Sequence, residues 1–265
     1  MNSPSSRALS SSPLSKEKLE QKLRDIGEER YHDRHPFHRL LHTGELSREQ
    51  VQAWALNRYY YQSAIPKKDA ALMSRADSPG LRRIWRQRMV DHDGDQEGDG
   101  GIARWLKLCT AVGLDAQQVQ QKQGVLAATR FAVDAYVDFV RERSLLEAVA
   151  SSLTEMFAPD IIADRMRGML SHYEFVSEEA MSYFEKRLDE APRDVNFALR
   201  WVLARAETAE EQQQVQDALR FKCDVLWAQL DALYHAYVAP GHVPPGAFLA
   251  DSQAQSNGLE ASNNS

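Results

Sequence analysis

Four helical stripes carry polar groups where a bundle needs apolar ones. Leu81, Trp85, Arg88 and His92 fall at i, i+4, i+7 and i+11, so an arginine and a histidine finish a line that two apolar residues begin. Trp54, Arg58, Tyr61 and Ile65 repeat that spacing with Gln62 alongside, and Val215, Leu219, Lys222 and Leu226 set a lysine between leucines. Phe184 and Leu188 flank the i, i+4 pair Tyr183 and Arg187. Burying one unpaired charge costs several kcal/mol, and several such charges rival a domain's whole stability of about 5–15 kcal/mol. Something anionic must share that interior. It is either the protein's own carboxylates in a closed salt-bridge network, or a polycarboxylate or phosphate ligand gripped by Arg forks. Glu155, which continues the small-residue line Ala148 and Ser152, is a candidate neutraliser, but one glutamate does not neutralise four cations.

Other constellations carry less. The run from Tyr31 to His38 holds His32, His35 and His38, which could ligate a metal or could cap and pack a helix junction. His32, beside Tyr31 and outside any regular element, is the better pocket candidate. The loop from Asp91 to Gly101 alternates Asp91, Asp93 and Asp95 in the manner of a calcium loop, but its sixth and twelfth positions are Gln96 and Ile102 rather than Gly and Glu. It reads as a flexible connector, one that could close over a ligand. Asp231 and His235 have the i, i+4 spacing of two ligands to one metal, but the cations on the other stripes would repel a divalent ion. No metal site is expected.

The elements that must position these groups are helices. Ser47 with Gln50 forms a capping box for a helix that Pro66 is expected to close, and Ser78 with Pro79 opens the next. A short helix before Gly44, a start at Ser177 and a second capping box at Thr208 with Glu211 follow, with apolar periodic stretches near 101–112, 126–142, 144–157, 160–171 and 193–206. No segment alternates long enough for a sheet, and no repeat recurs at solenoid periods. The expected fold is all-α: one compact bundle of about seven principal helices, plus short ones, over residues 15–240 around a central ligand pocket, with disordered segments at 1–14 and 241–265.

Bulk properties narrow the function. A chain of 265 residues, 43% hydrophobic, can bury a sizeable core, and a net charge of -6 gives no basic surplus for nucleic acid. Cys109 and Cys223 lie far apart in no metal or redox spacing, the N-terminus lacks a secretory apolar core, and no apolar run spans a bilayer. A cytoplasmic setting with no membrane partner is expected.

Seven segments together carry a resemblance: YHDRHPFH at 31, NRYYYQSAIPKKDA at 57, QRMVDHDG at 87, RFAVDAYVDF at 130, SSLTEMFAP at 151, YFEKRL at 183 and FKCDVLWAQLDA at 221. From about residue 15 to 240 the chain resembles the pyrroloquinoline quinone (PQQ) synthase family, whose fold is that of haem oxygenase and the TenA thiaminases. The resemblance implies a seven-helix homodimer that closes the last ring of a fused polycarboxylate precursor. It then oxidises that precursor in stages with dioxygen, releasing hydrogen peroxide, with no metal or organic cofactor. Carried over by position, it implies that Arg58, Gln62, Lys68, Arg88, Arg165 and Lys222 grip the substrate, with Tyr31 and His32 completing that wall. His92 serves as proton acceptor, Tyr183 and Arg187 stabilise charge on reduced oxygen, and Glu155 is a second base or orients the substrate amine. One departure is Ile162, where family members commonly offer a histidine on the helix after FAP.

Two other functions remain open to the sequence. A carrier that stores or delivers PQQ without turnover fits the loss of a polar group at Ile162. A TenA-like hydrolase would need a nucleophilic cysteine, and Cys109 and Cys223 read as packing residues. An accessory protein that hands over the precursor would be a further partner.

Overall fold

The computed structural model of the chain describes residues 12–249, apart from the side chains of residues 191 and 192. Capping chemistry sets most of its helix starts. Ser15 accepts from Lys18 N to open α1 (Lys16–Arg30), and the His35 side chain caps α2 (Pro36–Thr43), which Gly44 ends in the left-handed region at φ 76°. The box of Ser47 and Gln50 opens α3 (Arg48–Met73), Ser78 opens α4 (Pro79–Asp93), and Asp99 opens α5 (Gly100–Ala111). After α6 (Ala116–Gln120) and α7 (Ala127–Glu142), α8 (Leu145–Ala150) runs into a 3-10 stretch over Ser151–Phe157 that feeds α9 (Ala158–His172). A 3-10 turn over Glu178–Met181 leads into α10 (Ser182–Leu203), and the box of Thr208 and Glu211 opens α11 (Ala209–Tyr237).

Helix α3 runs through the middle, packed on α4, α5 and α7, while α11 lies along α1, α7, α8 and the 3-10 stretch at 151–157. Two apolar clusters result. One gathers Leu23, Leu72, Trp85, Val140 and Leu219; the other gathers Phe37, Leu56, Trp105, Leu108 and Met169. Trp85 and Trp105 are each only 1% exposed, and truncating either to alanine would cost on the order of 3–5 kcal/mol. The charged stripes meet where the clusters meet.

The class is all-α, with one isolated bridge between Gly124 and Ala247 as the sole strand-like pairing among the described residues. Those residues form eleven helices, of which α6 and α8 are short, so the longer ones number nine rather than about seven. Two expected helix ends are also corrected. α3 continues through Pro66, since the chain beyond it, including Lys68, Asp69 and Leu72, is buried and repays the one backbone hydrogen bond that proline removes. α10 likewise runs unbroken from Ser182 across the region where a new helix near 193 is expected. Of the two expected tails, 1–11 and 250–265 lie outside the described residues. Within the nearer parts, Leu14 N donates to Gln212 and Phe248 N donates to the Gly124 carbonyl. No helix among the described residues is long and apolar enough to cross a membrane.

Candidate active site

A cavity of about 80 Å³ opens between the two clusters, walled by groups from two 3-10 turns, His32–Arg34 and Ser151–Phe157, and from helices distant in sequence. Nine of the twelve expected site residues reach it. Tyr31 and His32 come from the α1–α2 junction, Arg58 and Gln62 from α3, and His92 from the end of α4. Glu155 comes from the 3-10 stretch, Arg165 from α9, and Tyr183 and Arg187 from α10. Lys68, Arg88 and Lys222 stand behind this wall rather than on it, each joined to a neighbour that lines it or to the network behind. Ile162 also lines the cavity, so its apolar side chain does occupy the position where the resemblance led to a polar group.

The six cations divide into two sets. Arg88 is the hub of the first: it forks onto Glu155 at 2.7 and 3.0 Å, reaches Asp194 at 2.9 Å and lies 3.8 Å from Asp69. Arg187 meets Glu155 at 3.4 Å and Glu190 at 3.2 Å, and Lys68 Nζ lies 2.5 Å from Asp69 Oδ1. Burial opposes the charge of Arg88, but Glu155, Asp69 and Asp194 outweigh it and hold its pKa well above the arginine value. Burial likewise opposes ionisation of Glu155, yet Arg88 and Arg187 hold its carboxyl far below the usual carboxylate range.

Arg58, Arg165 and Lys222 form the second set, and none has a carboxylate within ion-pair distance among the described residues. Arg58 lies over the Tyr61 ring at 4.2 Å. Lys222 Nζ donates to Tyr61 Oη at 2.7 Å and sits 3.7 Å from the centre of the Tyr136 ring. Arg165 lies between the rings of Trp54 and Phe184. Burial, then Arg58 and Lys68, push the Lys222 ammonium well below its ordinary pKa, and burial, then Arg58, lower Arg165 to about 10. The His32 imidazole is depressed by burial and by Arg58, Arg165 and Lys222 in turn, and its Nδ1 has no hydrogen-bond partner. This side of the cavity is a field of positive charge without its counter-charge, which is the electrostatic form of an anion site.

The opposite side holds His92, Tyr183 and Arg187. His92 Nδ1 lies 2.9 Å from the Arg88 carbonyl, which can only accept, so Nδ1 carries the hydrogen and Nε2 keeps its lone pair. Burial, then Arg187, hold His92 down to a pKa of about 4, so it is neutral near pH 7. Tyr183 stacks edge-on to Trp105 at 4.9 Å and shares the cavity wall with Arg187.

Other expected groups have structural work. His35 caps α2 through Nδ1 and turns Nε2 to Asp231 at 3.0 Å, so Asp231 pairs with His35 rather than joining His235. The acidic loop shrinks to 94–99, because Asp91 and His92 belong to α4. Cys109 and Cys223 are buried away from the cavity, and burial raises both thiols, Cys223 to about 12, which is the wrong direction for a nucleophile. Asp69, Glu190 and Asp194 were not anticipated. Their signal was present: Arg58, Gln62, Ile65 and Asp69 share one 4-3-4 stripe, and Tyr183, Arg187, Glu190 and Asp194 share another, but both are cut if the helices end early.

Comparison with known proteins places the chain in one family. The model of the TENA/THI-4/PQQC family matches residues 20–232. The chain is 63% identical over 238 residues to the pyrroloquinoline-quinone synthase of Granulibacter bethesdensis, covering 90% of this chain and 93% of that one. It is also 63% identical over 238 residues to the pyrroloquinoline-quinone synthase of Acidiphilium cryptum, covering 90% of this chain and 97% of that one. It is 64% identical over 235 residues to the bifunctional coenzyme PQQ synthesis protein C/D of Methylorubrum extorquens, covering 89% of this chain but only 63% of that longer protein. Among solved structures, a Shewanella denitrificans domain with a heme oxygenase-like fold superposes with a TM-score of 0.72 at 15% identity, covering 90% of this chain and all 100% of that one. A TenA homolog from Pseudomonas syringae gives a TM-score of 0.64 at 13% identity, covering 85% and 94%, a likeness of fold alone.

Proposed function

The chain belongs to the TENA/THI-4/PQQC family, and we propose that within it the protein acts as a pyrroloquinoline-quinone synthase. The observation that carries this reading is the division of the cations. Arg88, Arg187 and Lys68 are paired with the protein's own acids, whereas Arg58 and Arg165 on the cavity wall, and Lys222 behind it, have no acid within ion-pair distance among the described residues. A fused precursor bearing several carboxylates supplies the missing charge. The carrier reading is not favoured, because relatives at this identity over nearly the whole chain are named as synthases.

In the proposed reaction the last ring closes and the precursor is then oxidised in two-electron steps. Each step passes two electrons to dioxygen, which takes up two protons and leaves as hydrogen peroxide. His92 Nε2 is the proton acceptor; its depressed pKa keeps it unprotonated until the anionic substrate raises it. Arg187 and Tyr183 stabilise the negative charge that develops on reduced oxygen. Glu155 is so strongly held as a carboxylate by Arg88 and Arg187 that it suits orienting a substrate amine better than taking a proton. Ile162 leaves the oxygen chemistry to depend more on His92.

No metal or organic cofactor enters this scheme; dioxygen is the acceptor and PQQ the product. A cavity of about 80 Å³ is small beside ligand pockets of about 300–1,000 Å³, so the helices around it must part for a tricyclic ligand. The protein is further proposed to work as a homodimer, and in the cytoplasm, a setting that suits its two free buried thiols. The test is single-turnover oxygen uptake with the precursor after exhaustive chelation. Peroxide release with a growing quinone absorbance is expected; binding without peroxide would return the carrier, and activity restored only by added metal would refute the scheme.

A further inference from the structure

We propose that His38 is a positioning residue for Arg165: its neutral imidazole is the hydrogen-bond acceptor that aims this guanidinium at the cavity without cancelling its charge. His38 is 3% exposed and does not line the cavity, so it acts through another group. Its two ring nitrogens face partners with opposite demands. Nε2 lies 2.6 Å from Arg165 Nη2, and a guanidinium only donates, so Nε2 must carry the lone pair. Nδ1 lies 3.0 Å from the His32 carbonyl, which only accepts, so Nδ1 must carry the hydrogen. One neutral tautomer satisfies both contacts, and neither the other tautomer nor the imidazolium does.

The choice of a histidine here has a physical reason. A carboxylate in its place would hold Arg165 more tightly but would also neutralise it, as Glu155 and Asp194 do for Arg88. Imidazole fixes the direction of the guanidinium and leaves its charge for the ligand. Arg165 also lies over the rings of Trp54 and Phe184, at 5.9 and 5.5 Å, and its Nε has no hydrogen-bond partner among the described residues, so the rings restrict its plane but do not set the direction of its N–H groups. Backbone packing makes the approach possible. Gly168, one turn beyond Arg165 on α9, presses so close to α2 that a Cβ there would lie 2.3 Å from the His42 carbonyl oxygen. The same ring, through the His32 carbonyl, ties the turn that carries His32 to the helix that carries Arg165, and both side chains line the cavity.

The affinity arm of the test rests on the reading of the cavity as a PQQ site; the tautomer arm does not. Long-range proton–nitrogen NMR of the wild-type protein should find His38 neutral, protonated on Nδ1 and bare on Nε2, and Arg165→Met should erode that preference by removing the donor. His38→Asn keeps an amide donor near Nδ1 but offers no acceptor at the Nε2 position, whereas the longer amide of His38→Gln reaches it. His38→Asn should weaken PQQ binding in calorimetric titration about tenfold and raise KM for the precursor while kcat moves less than about twofold. His38→Gln should stay within about threefold of wild type on both. An Nε2–H tautomer or an imidazolium in the wild type overturns the proposal, as does equal binding by the two variants, whether both are intact or both are impaired. If wild-type protein fails to bind PQQ, the functional reading falls and the NMR result still decides the role of His38.

Discussion

Replacing Lys222 with methionine should make the protein more stable and a worse binder at once. Its ammonium is 1% exposed, has no carboxylate within ion-pair distance, and is held by one hydrogen bond of 2.7 Å to Tyr61 and by the faces of Tyr61 and Tyr136. A buried charge of this kind carries a desolvation penalty of several kcal/mol, and exchange for apolar residues of similar volume often stabilises by about 1–4 kcal/mol. The lost hydrogen bond and ring contacts offset part of that, so Lys222→Met should gain on the order of 1–2 kcal/mol, or about 3–6 °C in melting temperature. The sign with pH follows from the depressed pKa. Near neutral pH the unfolded chain holds this proton freely while the fold resists it, so the penalty is full below the folded pKa and vanishes as pH rises past the unfolded value of 10.5. The advantage of the methionine variant should therefore shrink steadily toward pH 10. With PQQ added the order reverses, because the variant lacks a charge partner and binds about 10–100-fold more weakly. Fluorimetric melting across pH, with and without PQQ, reads all of this. A variant that melts lower at pH 7 and binds PQQ as tightly as wild type would refute the idea that this cation is kept for an anion.

Three further outcomes test the rest of the site. Arg187→Met and Tyr183→Phe should keep PQQ affinity within about threefold while slowing oxygen uptake on the order of a hundredfold, since their task arises only as charge develops on oxygen; equal losses in both would place them in binding. Asp69→Asn removes the one carboxylate within ion-pair distance of Lys68 among the described residues and should destabilise by about 3 kcal/mol in urea unfolding, the lower end for a broken buried pair because the lysine can shed its proton. A neutral effect would mean that Lys68 is already uncharged. His92 should titrate near 4 by NMR in the protein alone and higher with PQQ bound, and because its folded pKa lies below the unfolded 6.5, its contribution to stability is lost as pH falls through that interval; titration at the ordinary value would remove the case for a buried, field-depressed base.

The sequence made the cations legible and hid most of their partners, for one reason. Arg58, Arg88 and Lys222 stood out because each interrupts an otherwise largely apolar line, and Arg187 because Phe184 and Leu188 flank its pair with Tyr183, patterns that survive errors in helix length. Asp69, Glu190 and Asp194 continue two of those lines by one or two turns, past the points where Pro66 and the region before residue 193 suggested helix ends. Proline weighs against a helix locally, but burial on both sides of Pro66 overrides that local cost. Helix starts fared better, since the boxes at Ser47 and Thr208 depend only on residues three apart. The tautomer-fixing contact between His38 and Arg165 could not be read at all, because 127 positions separate them and only the crossing of α2 and α9 brings them to 2.6 Å.

The choice posed by the stripes, internal acids or an external anion, therefore divides residue by residue: Arg88, Arg187 and Lys68 have internal acids, and the proposed anion falls to Arg58, Arg165 and Lys222. Pairing Arg88 with three carboxylates makes a rigid strut between α3, α4, the 3-10 stretch and α10, and a strut of that kind is useful only if it does not itself attract the ligand. Arg58, Arg165 and Lys222 are held instead by neutral groups: a tyrosine hydroxyl, ring faces and an imidazole. Neutral supports fix geometry at little electrostatic cost to the field, so the charge remains available where the cavity lies. Exchanging the supports should exchange the behaviours: a carboxylate introduced beside Arg165 by His38→Glu should neutralise the guanidinium and abolish PQQ binding, and a folded His38→Glu protein that still bound PQQ as wild type does would mean that the wall draws its ligand by some other force.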